Sequence, residues 1–213
     1  MSKRRIREWY ESYDGNVYVA FSGGIMSTVL LRLVRELYPE VPAVFCDTGL
    51  EFPSVREFAL DQSNVTPIYP VEYDRKTKQY NRVSFRHVIE KYGYPVISKE
   101  QSSFIREYRT SKSDKLKSTR LNGNACGQGK ISEKWKFLID APFKISEKCC
   151  FMMKKKPSHL YEVETGRKPI IGTSAGESSL RKSNWIRYGC NAFNTTRPTS
   201  RPLSFWTSDD FFQ

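Results

Sequence analysis

Seven residues, Ser22 to Thr28, constrain this chain more than any other stretch. They read Ser22-Gly23-Gly24-Ile25-Met26-Ser27-Thr28 and lie between an apolar run, residues 16–21, and a helix-period segment that starts at Ile25. The run before them is short and rich in β-branched and aromatic residues, which predicts a buried strand. Behind them Val29, Leu30, Leu33, Val34 and Leu37 recur at helical spacing, with Pro39 just past the end. Two glycines let a backbone turn tightly and approach an anion without interference from a Cβ. Amides at a helix start, with the helix dipole behind them, then favour phosphate or sulfate, and Ser22, Ser27 and Thr28 add hydroxyls. A plain strand-to-helix turn with a serine cap is the alternative; the strand–loop–helix context favours the anion site. The loop is not a Walker loop, because the Gly-Lys-Ser/Thr ending is missing, and it is not a dinucleotide fingerprint.

The same rhythm continues along the chain. Residues 41–46 predict a second buried strand running into Asp47-Thr48-Gly49, and residues 53–60 a second helix with Pro53 in its first turn. A third strand at residues 65–71 is placed near a sheet edge by Pro67 and Pro70. Residues 169–172 form one more short apolar run, and helices are expected at 2–13, 84–92, 98–110 and 151–163, the last broken at Pro157. Strands alternating with helices imply βαβ units and an α/β fold on a parallel sheet. Residues 110–136 are polar and basic and hold Gly123, Gly127 and Gly129. They are expected to form a loop-rich insertion in a single domain over residues 1–213.

Composition narrows the partners. Lys and Arg number 35 against 23 Asp and Glu, a net charge of +12, which points to polyanionic company: nucleotide, nucleic acid or an acidic protein. The excess gathers at Lys112, Lys115, Lys117, Arg120, Lys130, Lys134 and Lys136, at Lys154-Lys155-Lys156, and at Arg75, Lys76 and Lys78. Such runs are either solvated faces or a polyanion-binding face. No window approaches the roughly 18 apolar residues of a membrane span. The basic N-terminus runs into Trp9-Tyr10-Glu11, too polar for a signal-peptide core. A cytoplasmic protein without a membrane partner is expected. In that compartment the five cysteines do not suggest a disulfide framework.

The loop Ser22-Gly23-Gly24-Ile25-Met26-Ser27 resembles the PP-loop of the adenine nucleotide α-hydrolase-like superfamily, usually S-G-G-x-D-S. Residues 44–53, from Val44-Phe45-Cys46-Asp47-Thr48-Gly49 to Pro53, resemble the second strand and loop of the phosphoadenosine phosphosulfate (PAPS) reductase family. Cys149-Cys150 with the following lysines, Ile171-Gly172-Thr173 with Glu177, Ser178 and Arg181, and Pro202-Leu203 with Trp206-Thr207 follow in the family's order. The resemblance covers residues 16 to about 210. It implies a doubly wound, mostly parallel sheet with flanking helices that binds an adenine nucleotide, ATP or PAPS/APS, at its carboxyl edge. Ser22, Gly23, Gly24, Ser27 and Thr28 would hold phosphate or sulfate, with Asp47, Thr48 and Gly49 at the adjacent strand end. Gly172, Thr173, Glu177, Ser178 and Arg181 would close the site from the far side. Arg181 suits bidentate pairing with an oxyanion.

The chain departs from the family pattern at three places. Met26 replaces the PP-loop Asp, which argues against ATP cleavage more than against nucleotide binding. Ser174 stands where many relatives carry an arginine. The sequence ends at Gln213 without the C-terminal cysteine motif of sulfonucleotide reductases, so no catalytic residue is assigned and reduction calls for an external thiol or a partner cysteine. Cys149-Cys150 resembles the pair that begins a [4Fe-4S] motif in adenylylsulfate reductases. Cys126 and Cys190 would complete a set of four for a cluster or zinc, with separate buried thiols as the alternative. Three functions therefore stand at this point. The first is a PAPS reductase-like protein that binds an adenine nucleotide or sulfonucleotide for sulfonucleotide reduction or sulfur transfer. The second is an enzyme or subunit of nucleic-acid (tRNA or DNA) thiolation. The third is a degenerate nucleotide-binding module that regulates a protein partner.

Overall fold

The computed structural model describes residues 1–207 and 209–211. Its chain divides into two compact units, Met1–Tyr69 with Pro157–Gln213, and Pro70–Lys156. The second unit is far larger than the insertion expected at residues 110–136.

The first unit holds a six-stranded sheet in the order β3-β2-β1-β6-β8-β7. β1 (Val17–Phe21) lies at its centre, parallel to both β2 (Ala43–Cys46) and β6 (Lys168–Ile171). β3 (Val65–Ile68) is an edge strand, where Pro67 removes no ladder bond that a central strand would need. β8 (Thr199–Ser200) runs parallel to β6, and β7 (Asn191–Ala192) pairs antiparallel with β8. The sheet is thus mostly parallel and carries helices on its connections, as the alternation of apolar runs and helical periods implies. The connections from β1 lead first to β2 and β3 on one side, and the later strand β6 joins on the other. This reversal puts a topological switch point between β1 and β6, the usual place for a ligand crevice in an open α/β sheet.

Helical spacing explains the packing. α1 (Ser2–Ser12) buries Ile6 and Trp9, and α2 (Ile25–Arg35) buries Ser27, Leu30, Leu31 and Val34. These meet Val17, Val19, Phe21, Ala43, Phe45 and Ile170 of the sheet in one core. Each fully buried aliphatic or aromatic side chain contributes about 1.5–3 kcal/mol, so this core dominates the stability of the unit. α3 (Pro53–Asp61), α7 (Lys156–Thr165) and α8 (Ser179–Tyr188) complete the helices around it. A π-helical turn, Phe151–Lys155, precedes α7, whose Pro157 lacks the amide a regular helix would use.

The second unit begins with an antiparallel hairpin, β4 (Val71–Asp74) and β5 (Gln79–Arg82), followed by α4 (Phe85–Tyr92) and α5 (Lys99–Thr110). Ser84 and Ser98 cap these two helices through their side chains. The expected loop at residues 110–136 contains a helix, α6 (Asp114–Asn122), capped by Ser113, and a 3-10 helix follows at Glu133–Asp140. α6 has no buried residue and so no apolar stripe to betray it. It is held by Arg120, which lies over the Phe104 ring and pairs with Glu107 at 2.7 Å. Ile105, Ile131, Leu138 and Ile145 form one small core here, and Val88, Met152 and Met153 another.

Glu72 ties the hairpin to α4. It accepts bonds from Lys91 Nζ at 2.7 Å and from the Tyr92 hydroxyl, and bonds His87 Nε2 at 2.9 Å. Burial opposes the charge, but the bonds from Lys91, Tyr92 and His87 outweigh it and hold the carboxyl down at about 2. A depressed carboxyl contributes stability above its unfolded value and loses it as pH falls toward the folded one. The contribution should therefore be complete above pH 4.5 and disappear between 4.5 and about 2. Glu72→Gln is expected to flatten the acid limb of a pH–stability curve in that window; an unchanged limb would show that other carboxylates govern it.

Candidate functional site

Five parallel strands of the first unit end at one edge, and the residues that follow four of them, β1, β2, β6 and β8, bear on the site. Ser22 follows β1, Asp47 follows β2, Gly172 follows β6 and Arg201 follows β8. Three of the four belong to segments singled out from sequence; Arg201 does not.

The loop after β1 is held from inside. Gly23 has φ +74, and a Cβ there would lie 2.9 Å from Val55 Cγ1 and 3.1 Å from Val55 O, so the turn requires glycine on both counts. Ser27 is buried, accepts from the Ser22 amide at 3.2 Å, and donates to Gly24 O at 2.8 Å. Thr28 Oγ1 donates to the same carbonyl at 3.0 Å. Two of the three hydroxyls expected to face an anion thus brace the loop, and Ser22 is the exposed one. The start of α2 has no side-chain cap, whereas α4, α5, α6 and α8 are each capped by a serine. Its first-turn amides keep their hydrogen-bonding capacity and the positive end of the dipole.

The loop after β2 is equally ordered. Asp47 is almost wholly buried, and its Oδ2 accepts from Arg56 Nε at 3.0 Å and Nη2 at 2.9 Å. Its Oδ1 accepts from the Gly49 amide at 3.2 Å. The fork to Asp47 in turn raises the Arg56 guanidinium above its ordinary value. Glu51, which sequence reading did not single out as a site residue, folds back to accept from Thr48 N at 3.1 Å and Thr48 Oγ1 at 2.8 Å. Asp47, Thr48 and Gly49 therefore form a turn satisfied by its own side chains, with the carboxylate already neutralised.

After β6 the chain passes directly under α2. A Cβ on Gly172 would stand 2.7 Å from Met26 O and 3.0 Å from Ser27 Cα. Ser174 caps the next turn, accepting from the Gly176 amide at 3.1 Å while Glu177 accepts from the Ser174 amide at 2.8 Å. Glu177 also pairs with Arg181, and Ser178 caps α8 by accepting from the Arg181 amide at 3.3 Å. Ser174 is thus a capping residue. Gly172, Thr173, Glu177, Ser178 and Arg181 form one continuous turn at the edge, and Met26, in the PP-loop acidic position, packs against the core.

The expected metal set needs correction. Among the described residues no group of three or more His, Cys, Asp or Glu side chains is arranged to hold a metal ion. Cys190 belongs to the first unit and Cys126, Cys149 and Cys150 to the second, and Cys126 is exposed on a loop. Burial pushes the thiols of Cys149 and Cys190 up. A [4Fe-4S] cluster or a zinc ion is therefore not supported by the described residues. The basic stretch is also partly spent: Arg120 pairs with Glu107, Lys136 pairs with Glu133 at 2.7 Å, and Lys134 lies over Trp135. No helix among the described residues is long and apolar enough to cross a membrane.

A family model described as the phosphoadenosine phosphosulfate reductase domain matches residues 16–213. A phosphoadenosine 5′-phosphosulfate reductase of Klebsiella pneumoniae subsp. pneumoniae is 38% identical over 48 residues, 22% of this chain and 20% of that protein. The protein of the same name from Photorhabdus laumondii subsp. laumondii is 34% identical over 55 residues, 26% of this chain and 22% of that protein. The matched segments span about a fifth of the length of these curated relatives. A crystal structure of a PAPS reductase from Candida auris in a phosphate complex aligns with 100% of this chain and 77% of its own, at 14% identity and a TM-score of 0.49.

Proposed function

The chain belongs to the phosphoadenosine phosphosulfate reductase domain family, and we propose that it binds an adenine nucleotide or sulfonucleotide at the carboxyl edge of the six-stranded sheet. The observation that carries this reading is the uncapped start of α2 behind Gly23 and Gly24, at the switch point between β1 and β6. In this reading the first-turn amides of α2 and the Ser22 hydroxyl take an oxyanion, while Ser27 and Thr28 keep the loop in shape. The turn after β2 and the turn from Gly172 to Arg181 form the flanks. The role is one of binding and orientation. For a bound sulfonucleotide, reduction to sulfite takes two electrons from a pair of thiols, which are oxidised to a disulfide as the nucleotide phosphate leaves.

Gly24 allows a clean test. Its φ of −81 suits any residue, and a Cβ there meets only Ser22 Oγ, at 3.5 Å. Gly24→Val should therefore fold normally yet place a branched side chain where an anion must approach. Calorimetry with AMP, ATP and PAPS is expected to show saturable binding of at least one by the unsubstituted protein. The valine variant is expected to bind about tenfold or more weakly, which corresponds to about 1.4 kcal/mol. A folded protein that binds none of the three would overturn the reading.

A further inference from the structure

Arg201 follows β8, and of Ser22, Asp47, Gly172 and Arg201 it alone has been given no role. β8 pairs in parallel with β6, and β6 with β1. Two strand spacings, roughly 10 Å, therefore separate the start of the Arg201 segment from the start of the Ser22 loop. The backbone of Arg201 is fixed on both sides: its amide donates to Cys190 O at 2.7 Å, and its carbonyl accepts from Ser204 N at 3.1 Å and Ser204 Oγ at 2.8 Å. Its side chain is only partly exposed, and among the described residues no carboxylate pairs with it. Nearby Arg181 is already paired with Glu177. Burial, and then the charge of Arg181, pull the Arg201 guanidinium below its ordinary value. A guanidinium that loses water beside a second cation, with no anion in return, is held at a cost unless a ligand supplies the anion.

We infer that Arg201 is an anion-recognition residue at this edge, taking a second negatively charged group of the nucleotide, a phosphate or sulfate beyond the one at the Ser22–Thr28 loop. The inference rests on the nucleotide reading of the same edge and adds to it a preference for ligands with two anionic groups. Arg201 supplies from β8 a charge that the Ser174 turn does not.

Arg201→Met tests this, because methionine keeps an apolar stem of similar length without the charge. A structural arginine would make the variant less stable under all conditions. An anion-recognition arginine predicts that, in chloride buffer without phosphate or sulfate, Arg201→Met melts no lower than the unsubstituted protein. The stabilisation that ADP gives the unsubstituted protein should shrink in the variant. In calorimetry, ADP should bind the variant about tenfold or more weakly, since a charge-assisted pair is lost, while AMP changes by less than about threefold. Arg187→Ala, which removes a cation from the far end of α8, is the control and should leave ADP binding unchanged. If the unsubstituted protein binds nucleotide and Arg201→Met binds ADP equally well, or melts lower in chloride buffer, the Arg201 inference falls and the nucleotide reading stands. If the unsubstituted protein binds no nucleotide, both fall.

Discussion

Gly172→Ala is expected to be the most damaging methyl group that can be added to the first unit at a glycine of ordinary backbone conformation. The position does not have the left-handed backbone of many other glycines here, so the constraint is close approach alone. The added Cβ would meet the carbonyl oxygen of Met26 at 2.7 Å, its carbon at 3.0 Å and Ser27 Cα at 3.0 Å. All three are backbone, and they belong to the first turn of a helix whose other face is packed in the core. Nothing there can rotate aside, so either α2 or the end of β6 must move. Overpacking of this kind costs about 1–3 kcal/mol, and backbone against backbone belongs near the top of that range. A loss of about 2–3 kcal/mol corresponds to a melting temperature roughly 4–12 °C lower for a chain of this size. Nucleotide binding should weaken as well, because the displaced turn carries the amides assigned to the oxyanion. The control is Gly166→Ala, where a Cβ has nothing within 4 Å and only φ +72 opposes it. That variant should lose about 1 kcal/mol and keep its binding. Equal melting of the two variants would mean that the contact between β6 and α2 is looser than the distances imply.

The contrast between those glycines also shows how much of this edge was legible in the sequence. β1, its glycine loop and α2 were readable because each signal is local: a strand's composition, two adjacent glycines, and a 3.6-residue apolar period. The edge position of β3 was readable from two prolines. What could not be read were features created by the third dimension. Ser27 looked like a ligand hydroxyl and became a brace, because its direction depends on where Gly24 O lies after the turn. Gly172 reads from sequence only as part of the turn that closes the site; its tight constraint comes from a helix 145 or so positions earlier in the chain, a separation no local pattern records. Arg201 escaped notice for a related reason. It follows a strand of two residues, too short for any alternation, and its significance comes from the parallel pairing of Ser200 with Ile170. α6 was hidden by the lack of a buried face, and the four cysteines were grouped by kind when only their positions in space could have grouped them.

Asp47 carries the second large effect, and its two oxygens divide the labour. Oδ1 caps the turn through Gly49, and Oδ2 receives both nitrogens of the Arg56 fork. The side chain is 1% exposed, while that of Arg56 is 43% exposed. Removing the carboxylate therefore strands a turn amide, whereas the guanidinium regains water readily. Asp47→Ala is expected to cost about 2 kcal/mol, the range for losing charge-assisted bonds and leaving a donor unsatisfied, or roughly 4–8 °C in melting temperature. Asp47→Asn keeps an oxygen for Gly49 and loses the ion pair, so it should fall about midway between the alanine variant and the unsubstituted protein. If the two variants melt together, the ion pair carries the whole contribution and the turn bond none. Binding should follow a different order from stability. The turn after β2 flanks the glycine loop, so its loosening in Asp47→Ala is expected to weaken nucleotide affinity by about tenfold, equivalent to about 1.4 kcal/mol. Asp47→Asn, with the turn still closed, should bind within about threefold of the unsubstituted protein. An asparagine variant that melts well but binds as poorly as alanine would assign the carboxylate charge itself to ligand recognition, and the turn would then be more than a support.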